Sequence, residues 1–587
     1  MKYPNLKPLR TSRLLTNVFK GYVHKPVAEE GAFFDTTNLT TDKFPLLATR
    51  KKRGLVRTLT NPQGLIEKDS LAYVANGTLY INGYTTALNN LSSGEKQLVS
   101  MGSYIVIFPD KVYYNTENSS DYGSLEASYA SSGTVQFRQC RIDGTLFEHV
   151  EVGDTEPEDT DIELWICTAG GTHTAMSYSA STGSWVELDT VYTRIDFTSQ
   201  GQIPALFSEG DGVTISGADF EDANGEKILY ALGGSSATGH EQADFVVVVG
   251  LLESAMTQAS GSVSIRRSVP SMDFVCEAGN RLWGCFYGES GGAVLNEIYC
   301  CALGDFKNWR QYRGLSTDSW TASVGSDGQW TGAVNYLGSP CFFKENRIHE
   351  VGISAYGAHT LQEMVCRGVQ KGSHKSLVVV NETLYYKSRS DVCAWQGGFP
   401  VSVSAALGDV RYYDAAGGAF SGKYYLSMKN SDNAWQFFVY DIDRGIWCRE
   451  DDLHGLQFAA VGDELYTVDA DTGALLALNG TTGTPESSVS WEAVTGVLTY
   501  EYPDRKYVSK YNIRLRMAPG STARVYLQYN NGSWTDKGRI SNSGDYSTAL
   551  LPIRPRRCDH MRLKLTGTGE TEILSIARVL EIGSDMR

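Results

Sequence analysis

A short sequence phrase, a polar turn followed by apolar and aromatic residues, recurs along this chain of 587 residues. It stands at 76–80, 280–283, 346–349, 381–385 and 463–466, and a variant stands at 423–426. From residue 282 onward, the apolar positions of the phrase are spaced 66, 36, 42 and 39 residues apart: Leu282, Ile348, Leu384, Leu426 and Leu465. A four-stranded propeller blade takes roughly 40 to 50 residues. The repeat therefore predicts an all-β chain organised around a β-propeller.

The composition favours the same class. The chain has 60 glycines and 33 tyrosines, and glycine supplies the positive φ of tight turns while aromatic residues favour pleated surfaces. The length exceeds what one hydrophobic core usually supports, so two to four domains are expected. No apolar run approaches the ~20 residues that span a bilayer. We expect no membrane insertion by this chain.

The pattern changes along the chain and predicts five segments. Residues 1–60 are irregular and are predicted to be an N-terminal docking arm. The repeat phrase is then present, absent and present again, and the last segment alternates apolar and polar residues, which is typical of a two-faced sandwich. The predicted segments are the first part of the propeller at 61–121, an inserted small β-barrel or sandwich at 122–267, the rest of the propeller at 268–484 and a C-terminal β-sandwich at 485–587.

Charge is unevenly distributed. The formal net charge of -15 argues against general nucleic-acid binding, which requires many Lys and Arg contacts to phosphates. Two basic clusters nevertheless stand out: Arg50, Lys51, Lys52, Arg53 and Arg57, and then Arg554, Arg556, Arg557, Arg562 and Lys564. Each cluster is either a solubilising face or a docking surface for acidic partner subunits, since opposite charge steers assembly.

No motif specifies a catalytic site. The turn containing Asp327 resembles the Asp-containing turn of sialidase propellers, but its spacing is too short. The turns that begin at Asp441 and Asp469 resemble the start of a calcium loop and lack the closing glutamate. The nine histidines and eleven cysteines do not occur at metal-ligand spacing. We therefore expect no catalytic, cofactor or metal site, and predict that the protein is not an enzyme.

Several phrases resemble those of one viral family. They are FFDTTNL at 33–39, FPLLATR at 44–50, IFPDK at 107–111, NRLWGC at 280–285, GDFKNW at 304–309, FFKE at 342–345 and RPRRCDH at 554–560. In their amino-acid sequence and their order along the chain, these phrases and the predicted segments resemble those of the tail nozzle, or packaged-DNA stabilisation, proteins of short-tailed bacteriophages. The inserted segment at 122–267 departs from the simplest members of that family.

The resemblance implies a structural protein of the virion, assembled in the cytoplasm of the host bacterium. It implies a homo-oligomeric ring, taken here as hexameric, that lies below the portal and adaptor and contacts other tail proteins. Such a ring would retain packaged DNA and conduct it at ejection without sequence-specific binding. An acidic bore would let DNA slide, because like charge prevents adhesion of phosphates.

Two other classes of function stay open. Propeller loops or the tyrosine-rich sandwich could bind host-surface glycans by aromatic stacking, as a glycan-binding tail protein would. The propeller could also cleave a glycan, in which case Asp327 and Asp441 are the first carboxylates to test, since glycosidases use a pair of carboxylates.

Overall fold

The computed structural model describes residues 10–171, 173–235, 242–259, 261–354, 358–499, 507–545 and 547–582. Strands dominate these residues, which confirms the all-β prediction. The helical elements in the described residues are short: the α-helix Gln202–Leu206 and the 3-10 turns Ala169–Gly171, Glu221–Ala223, His374–Ser376 and Ala405–Leu407. In this part of the chain, no helix has the length and apolar character needed to cross a membrane.

Seven antiparallel sheets, numbered here as blades 1 to 7, form the propeller. Blade 1 contains Pro62–Lys68, Ser70–Ala75, Thr78–Ile81 and Tyr84–Thr85. Blade 2 contains Gln97–Met101, Tyr104–Phe108, Val112–Asn115 and Tyr122–Ser124. Blade 3 contains Phe274–Glu277, Leu282–Ser290, Ala293–Cys300 and Trp320–Ser323. Blade 4 contains Gly332–Tyr336, Ser339–Lys344, Arg347–Ile353 and His359–Val365. Blade 5 contains Val378–Val380, Thr383–Lys387, Val392–Trp395 and Val401–Ser402. Blade 6 contains Tyr412–Phe420, Lys423–Asn430, Trp435–Asp441 and Ile446–Arg449. The first strands of most neighbouring blades contact one another around an axis, and the turn His374–Ser376 joins blade 4 to blade 5.

Blade 7 is completed by a strand from the start of the chain. Its first three strands are Gly455–Val461, Glu464–Asp469 and Ala474–Ala477. The closing strand, Gly54–Thr58, pairs with the third of these, and Thr484–Pro485 pairs with the other edge of the closing strand. Backbone hydrogen bonds between the two ends of the propeller sequence therefore close the ring.

The repeat phrase marks hairpin turns, but not one fixed position in a blade. It opens the second strand in blades 3, 5, 6 and 7 and the third strand in blades 1 and 4. Asn76, Asn280 and Asn381 at these turns have φ of 48°, 58° and 45°, the left-handed region that asparagine tolerates better than most residues. This mixture of positions explains the uneven spacing around Ile348.

The insertion between blades 2 and 3 has three sheets. Two of them face each other across a shared core that includes Phe137, Ile195, Ile215, Val246 and Ile265, so they form a sandwich. Their strands are Ala127–Ala130, Gly212–Ser216, Gly225–Ile228 and Ser264–Arg267, and Val135–Cys140, Tyr192–Asp196, Ala231–Ser235, Gln242–Val249 and Met256–Gln258. The third sheet contains Val150–Gly153, Leu164–Cys167, Thr174–Ser179 and Ser184–Glu187, and its first two strands are parallel.

The C-terminal sandwich is built partly from the N-terminal arm. Its front sheet contains Asp35–Thr37, Ser490–Val494, Thr522–Tyr529, Trp534–Ser541 and Met561–Thr568. Its back sheet contains Arg10–Thr16, Leu39–Thr40, Leu47–Thr49, Tyr507–Met517, Ser547–Ile553 and Thr571–Ile582. A small parallel pair, Gly21–Tyr22 and Ala32–Phe33, lies between Arg10–Thr16 and the other strands of the arm. Alternate residues of each long strand point into one core, which also takes in Ile446 and Cys448 of blade 6.

The described part of the arm predicted at 1–60 docks on this chain itself. Phe19, Phe33, Leu39 and Leu47 of the arm are at most 1% exposed and belong to the core of the sandwich. The arm's described residues thus pair and pack within this chain, because burying these apolar side chains stabilises the fold. Residues 1–9 lie outside the described residues.

Buried charges join the arm, the propeller and the sandwich. Arg53 donates to Glu450 (2.8 Å) and Asp451 (2.6 Å), which directly follow the last strand of blade 6. Arg50 donates to Glu486 (2.7 Å), just before the sandwich. The two arginine side chains are 4% and 8% exposed. This cluster, the junction cluster, holds three parts of the chain at one point.

Candidate functional site

Charged side chains from non-adjacent blades meet at the axis of the propeller. A cavity of about 380 Å³ lies on the axis and is lined by first strands of blades 2 to 7. At its end, Glu95, before blade 2, accepts hydrogen bonds from His374 (3.0 Å) and Lys375 (3.1 Å), before blade 5. Burial would raise the pKa of Glu95, but His374 and Lys375 outweigh burial and lower it to about 2. These three residues bridge non-adjacent blades across the axis.

The predicted DNA channel is the bore of a ring of several copies, and the axial cavity of one chain is a different space. Since a water molecule occupies about 30 Å³ in the liquid, the axial cavity has room for only about a dozen waters. It is too small for a DNA duplex. The propeller of a single chain therefore does not itself provide the predicted channel, and conduction of DNA by a ring of several copies stays a prediction. A DNA channel made with this protein would have to lie between copies of the chain.

A larger depression lies on the face of the propeller that carries the connections into each first strand. We call it the loop-face groove. It has a volume of about 1110 Å³ and spans loops of blades 4, 5 and 6. Its polar and aromatic lining comprises Glu345, Asn346, Arg367, Gln370, Arg389, Asp391, Asp409, Arg411 and Tyr413. An adjoining cavity of about 440 Å³ shares Glu345, Asn346 and Arg389 and adds Asp327, Gln329 and Lys371. Together they form one polar groove.

Short turns and connections position these side chains. Asn346 lies at the turn between the second and third strands of blade 4, and Arg389 lies at the same turn of blade 5. Arg367 belongs to the connection into blade 5 and Arg411 to the connection into blade 6. In a propeller these two kinds of loop meet on one face, because strands alternate in direction within each blade. The fold thus collects four loops that are distant in sequence.

Some groove residues are fixed by neighbours and others are free. Arg367 is ion-paired with Asp391 and donates to the carbonyl oxygen of Pro400 (2.6 Å). Arg389 and Arg411 are exposed and have no carboxylate partner among the residues that the structure describes. Beneath the groove, Lys387 donates to Gln370 Oε1 (3.2 Å), and burial lowers the pKa of Lys387 to about 8. The groove therefore presents two free guanidinium groups beside carboxylates, amides and one phenol ring.

The ten residues of the two predicted docking clusters differ in whether they are accessible to a partner. Arg50 and Arg53 are buried in the junction cluster, and Arg57 donates to Tyr73 Oη (3.1 Å) and the carbonyl oxygen of Gly83 (3.2 Å) of blade 1. The docking prediction is corrected for Arg50 and Arg53, because their charges are neutralised inside the chain. Lys51 and Lys52 are exposed beside them.

The C-terminal cluster likewise contains some residues that are exposed and others that bind within this chain. Arg554, Arg556 and Arg557 are exposed on the loop that leads into the last strand of the front sheet. Arg562 and Lys564 lie on that strand, where Arg562 donates to the carbonyl oxygen of Thr495 (3.0 Å) and Lys564 pairs with Glu492 (2.6 Å). The exposed loop is thus the part of this cluster that is accessible to a partner, and docking by it stays a prediction.

The carboxylates considered for catalysis differ in accessibility. Asp441 is 2% exposed, accepts from Thr41 Oγ1 (2.5 Å) and pairs with Arg444 (2.9 Å). Asp441 therefore holds a turn together and is not open to a substrate. Asp327 lines the adjoining cavity together with Glu345. Within the described residues, no group of His, Cys, Asp and Glu has an arrangement that could hold a metal ion.

Comparison with known proteins gives structural neighbours only. No family model and no curated protein matches the chain. An exo-beta-1,3-galactanase from Phanerochaete chrysosporium is 12% identical, covers 52% of this chain and 94% of its own, and superposes with a TM-score of 0.21. A glycoside hydrolase family 43 arabinoxylan arabinofuranohydrolase from Bacillus subtilis is 10% identical, covers 52% of this chain and 94% of its own, and superposes with a TM-score of 0.17. AztD from Citrobacter koseri is 10% identical, covers 72% of this chain and 99% of its own, and superposes with a TM-score of 0.22.

These neighbours correct one prediction and leave others open. Several are glycoside hydrolases, which contradicts the prediction that the chain is not an enzyme. At these TM-scores the likeness assigns no substrate and no catalytic residue to this chain. The chain is a seven-bladed β-propeller with an inserted β-domain and a C-terminal β-sandwich.

Proposed function

We propose that the propeller binds a glycan in the loop-face groove, as a tail protein of a short-tailed bacteriophage that contacts surface glycans of its host. The groove itself is the observation that carries the proposal. Its volume of about 1110 Å³ slightly exceeds the about 300 to 1,000 Å³ of pockets for small ligands, which leaves room for an oligosaccharide. The phage setting rests on the sequence resemblance alone.

The lining of the groove matches the chemistry of a sugar. Amide side chains such as Asn346 and Gln370 both donate and accept hydrogen bonds, as sugar hydroxyls do. The ring of Tyr413 is 41% exposed at the groove, where it can pack against the apolar face of a sugar ring. Arg389 and Arg411 add free donors in a planar fork, which favours glycans that carry acidic groups.

Replacing Tyr413 and Arg389 together with alanine should weaken glycan binding at least about tenfold, equivalent to about 1.4 kcal/mol. The reason is the loss of one stacking surface and one set of charged donors. A glycan array would first identify the ligand, and titration calorimetry with the best glycan would then compare the variant with the wild type. Arg266→Ala is a matched control, since Arg266 is exposed on the inserted domain, away from the groove.

Equal affinities for the variant and the wild type, or an array without any glycan bound, would contradict this function. The same samples also test whether the protein cleaves the glycan. Glycosidases require two carboxylates at the scissile bond, and Asp327 and Glu345 both line the adjoining cavity. Release of new reducing ends that is lost in Asp327→Asn and Glu345→Gln would assign hydrolysis to the groove. Binding without such release would leave recognition as the function.

The tail-nozzle role is a second candidate, and the exposed loop carrying Arg554, Arg556 and Arg557 favours it. Changing these three arginines to glutamate should reduce incorporation of the protein into phage particles, because exposed charges affect association far more than stability. Quantitative immunoblotting of purified particles would measure incorporation, and thermal unfolding would verify that the variant folds. Full incorporation of the variant would rule out docking by this loop.

A further inference from the structure

The outward side of the front sheet is a second polar surface, separate from the loop-face groove. Successive residues of a strand point to opposite sides of a sheet. In the strand Thr522–Tyr529, Ala523, Val525 and Leu527 are buried in the sandwich core, so Arg524 and Tyr526 point outwards. Together with its neighbours this side lines a cavity of about 540 Å³. We call it the front-sheet face.

Two arginines lie side by side on the front-sheet face. Arg524 and Arg539 are direct partners in the antiparallel register of neighbouring strands, and both line the cavity. Like charges directly opposite each other destabilise a sheet. Arg524 lies 3.6 Å from Asp536 and donates to Tyr526 Oη (3.3 Å). Arg539 is exposed and has no carboxylate partner in the described part of the chain. Asp35 and Glu492 also line the cavity, but they are paired with Arg449 (3.3 Å) and Lys564 (2.6 Å). Arg539 is therefore the arginine of the pair whose charge is not compensated.

A row of hydroxyl groups runs beside the arginine pair. Ser490, Thr568, Thr522 and Ser541 are in register across four neighbouring strands. The hydroxyls of Thr522 and Thr568 are 2.9 Å apart and hydrogen-bonded. Each hydroxyl has one donor and two acceptor positions, so the row can exchange hydrogen bonds with a ligand that carries hydroxyls at regular intervals.

We propose that the front-sheet face binds an acidic glycan, with an anionic group between Arg524 and Arg539 and sugar hydroxyls along the Ser and Thr row. Two adjacent guanidinium groups suit a carboxylate or a sulfate, because the planar fork of arginine donates two parallel hydrogen bonds to such anions. The net charge of -15 repels polyanions from most of the surface. In that background, the unpaired guanidinium of Arg539 beside Arg524 attracts an anionic ligand to one place on the face.

The double variant Arg524→Ala/Arg539→Ala should bind an acidic glycan at least about tenfold more weakly than the wild type. Calorimetry with the full chain would use oligogalacturonide as the carboxylate probe, chondroitin sulfate as the sulfate probe and dextran as the neutral probe. Binding of the first or second probe but not of dextran is expected, and it should weaken as salt is added. The probe that binds more tightly identifies the anionic group.

Two control variants make the result specific. Arg514→Ala removes an exposed arginine from the back sheet of the same sandwich and should leave affinity unchanged. The Arg524→Ala/Arg539→Ala change is also made in a chain that already carries Arg389→Ala, where it should cause the same fold loss of affinity, so failure of the groove proposal and failure of this one can be told apart. Because Arg524 and Arg539 repel each other, the double variant should unfold at the same temperature as the wild type or above it.

Three outcomes would overturn the proposal. One is a folded wild type that binds neither acidic probe. Another is an equal loss of affinity in Arg514→Ala. The third is a change of oligomeric state in the double variant, measured by analytical ultracentrifugation, without any change in glycan binding. That result would assign the face to the acidic segment 154–161 of a second copy, whose side chains Asp154, Glu156, Glu158, Asp159 and Asp161 are exposed.

Discussion

Replacing Arg53 with alanine should lower the free energy of unfolding by about 3 to 5 kcal/mol, the usual effect of removing one partner from a buried ion pair. Glu450, whose side chain is 9% exposed, and Asp451 would lose their nearest cation and keep only Arg50, at 3.8 and 3.7 Å. The loss would act on three parts of the chain at once, because the junction cluster joins the arm, blade 6 and the start of the sandwich. Urea unfolding followed by tryptophan fluorescence would measure it.

The pH dependence of this effect has a defined sign. Burial would raise the pKa of Asp451, but Arg53 and Arg50 outweigh burial and hold it below its ordinary value. Such a carboxyl stabilises the fold above its unfolded pKa of about 3.9, and this contribution is lost as the pH falls through the lower folded pKa. The stability difference between the wild type and Arg53→Ala should therefore shrink in acid. Lys51→Ala, at an exposed neighbouring position, should change stability by about 0.5 kcal/mol or less, and an equally small effect of Arg53→Ala would contradict the account of the junction.

Replacing Trp447 with alanine should also lower the free energy of unfolding by about 3 to 5 kcal/mol. Trp447 is 1% exposed in the core of blade 6, stacks on Tyr440 with ring centroids 4.7 Å apart and donates from Nε1 to the carbonyl oxygen of Val403 (2.8 Å). The substitution leaves a cavity and an unsatisfied carbonyl group. Chemical unfolding of the purified variant would measure the loss.

Trp534→Ala is the matched control for the tryptophan variant. Trp534 is half-buried on the front sheet of the sandwich, so its removal leaves no enclosed cavity and should have a clearly smaller effect. A melting temperature of Trp447→Ala equal to that of the wild type would place Trp447 outside the core of the blade.

Local features of the fold could be predicted from the sequence. The turn at Asn76 and Gly77 and the turn at Asn381 were recognisable because left-handed backbone at a hairpin selects such residues, whatever the rest of the chain does. The alternation from Tyr511 to Met517 likewise indicated a strand with one buried side. Each of these signals depends on neighbours within about ten residues.

Long-range pairings could not be predicted in this way. The closing strand pairs with Ala474–Ala477, and the arm strand Asp35–Thr37 pairs with Ser490–Val494. In both pairs the partner lies more than four hundred positions away, and nothing in the local sequence of the arm distinguishes it from a segment that binds another protein. The basic residues Arg50 and Arg53 were accordingly interpreted as a docking patch, whereas their partners Glu450 and Asp451 belong to this chain.

The loop-face groove was missed for a related reason. Arg367, Arg389, Arg411 and Tyr413 come from separate loops, and no spacing along the chain joins them into a motif. A signal was nevertheless present, since Arg389 and Arg411 occupy the loops that meet on one face once the strands of each blade are assigned. Sequence reasoning that first assigned blades, and then compared corresponding loops, could have found them.

The most direct test of the account is a structure of the full chain determined with the glycan that binds most tightly on the array. The account predicts that the glycan lies in the loop-face groove, with a sugar ring on Tyr413 and hydrogen bonds to Arg389 and Asn346. A glycan bound elsewhere, with the groove filled only by solvent, would contradict the proposed function.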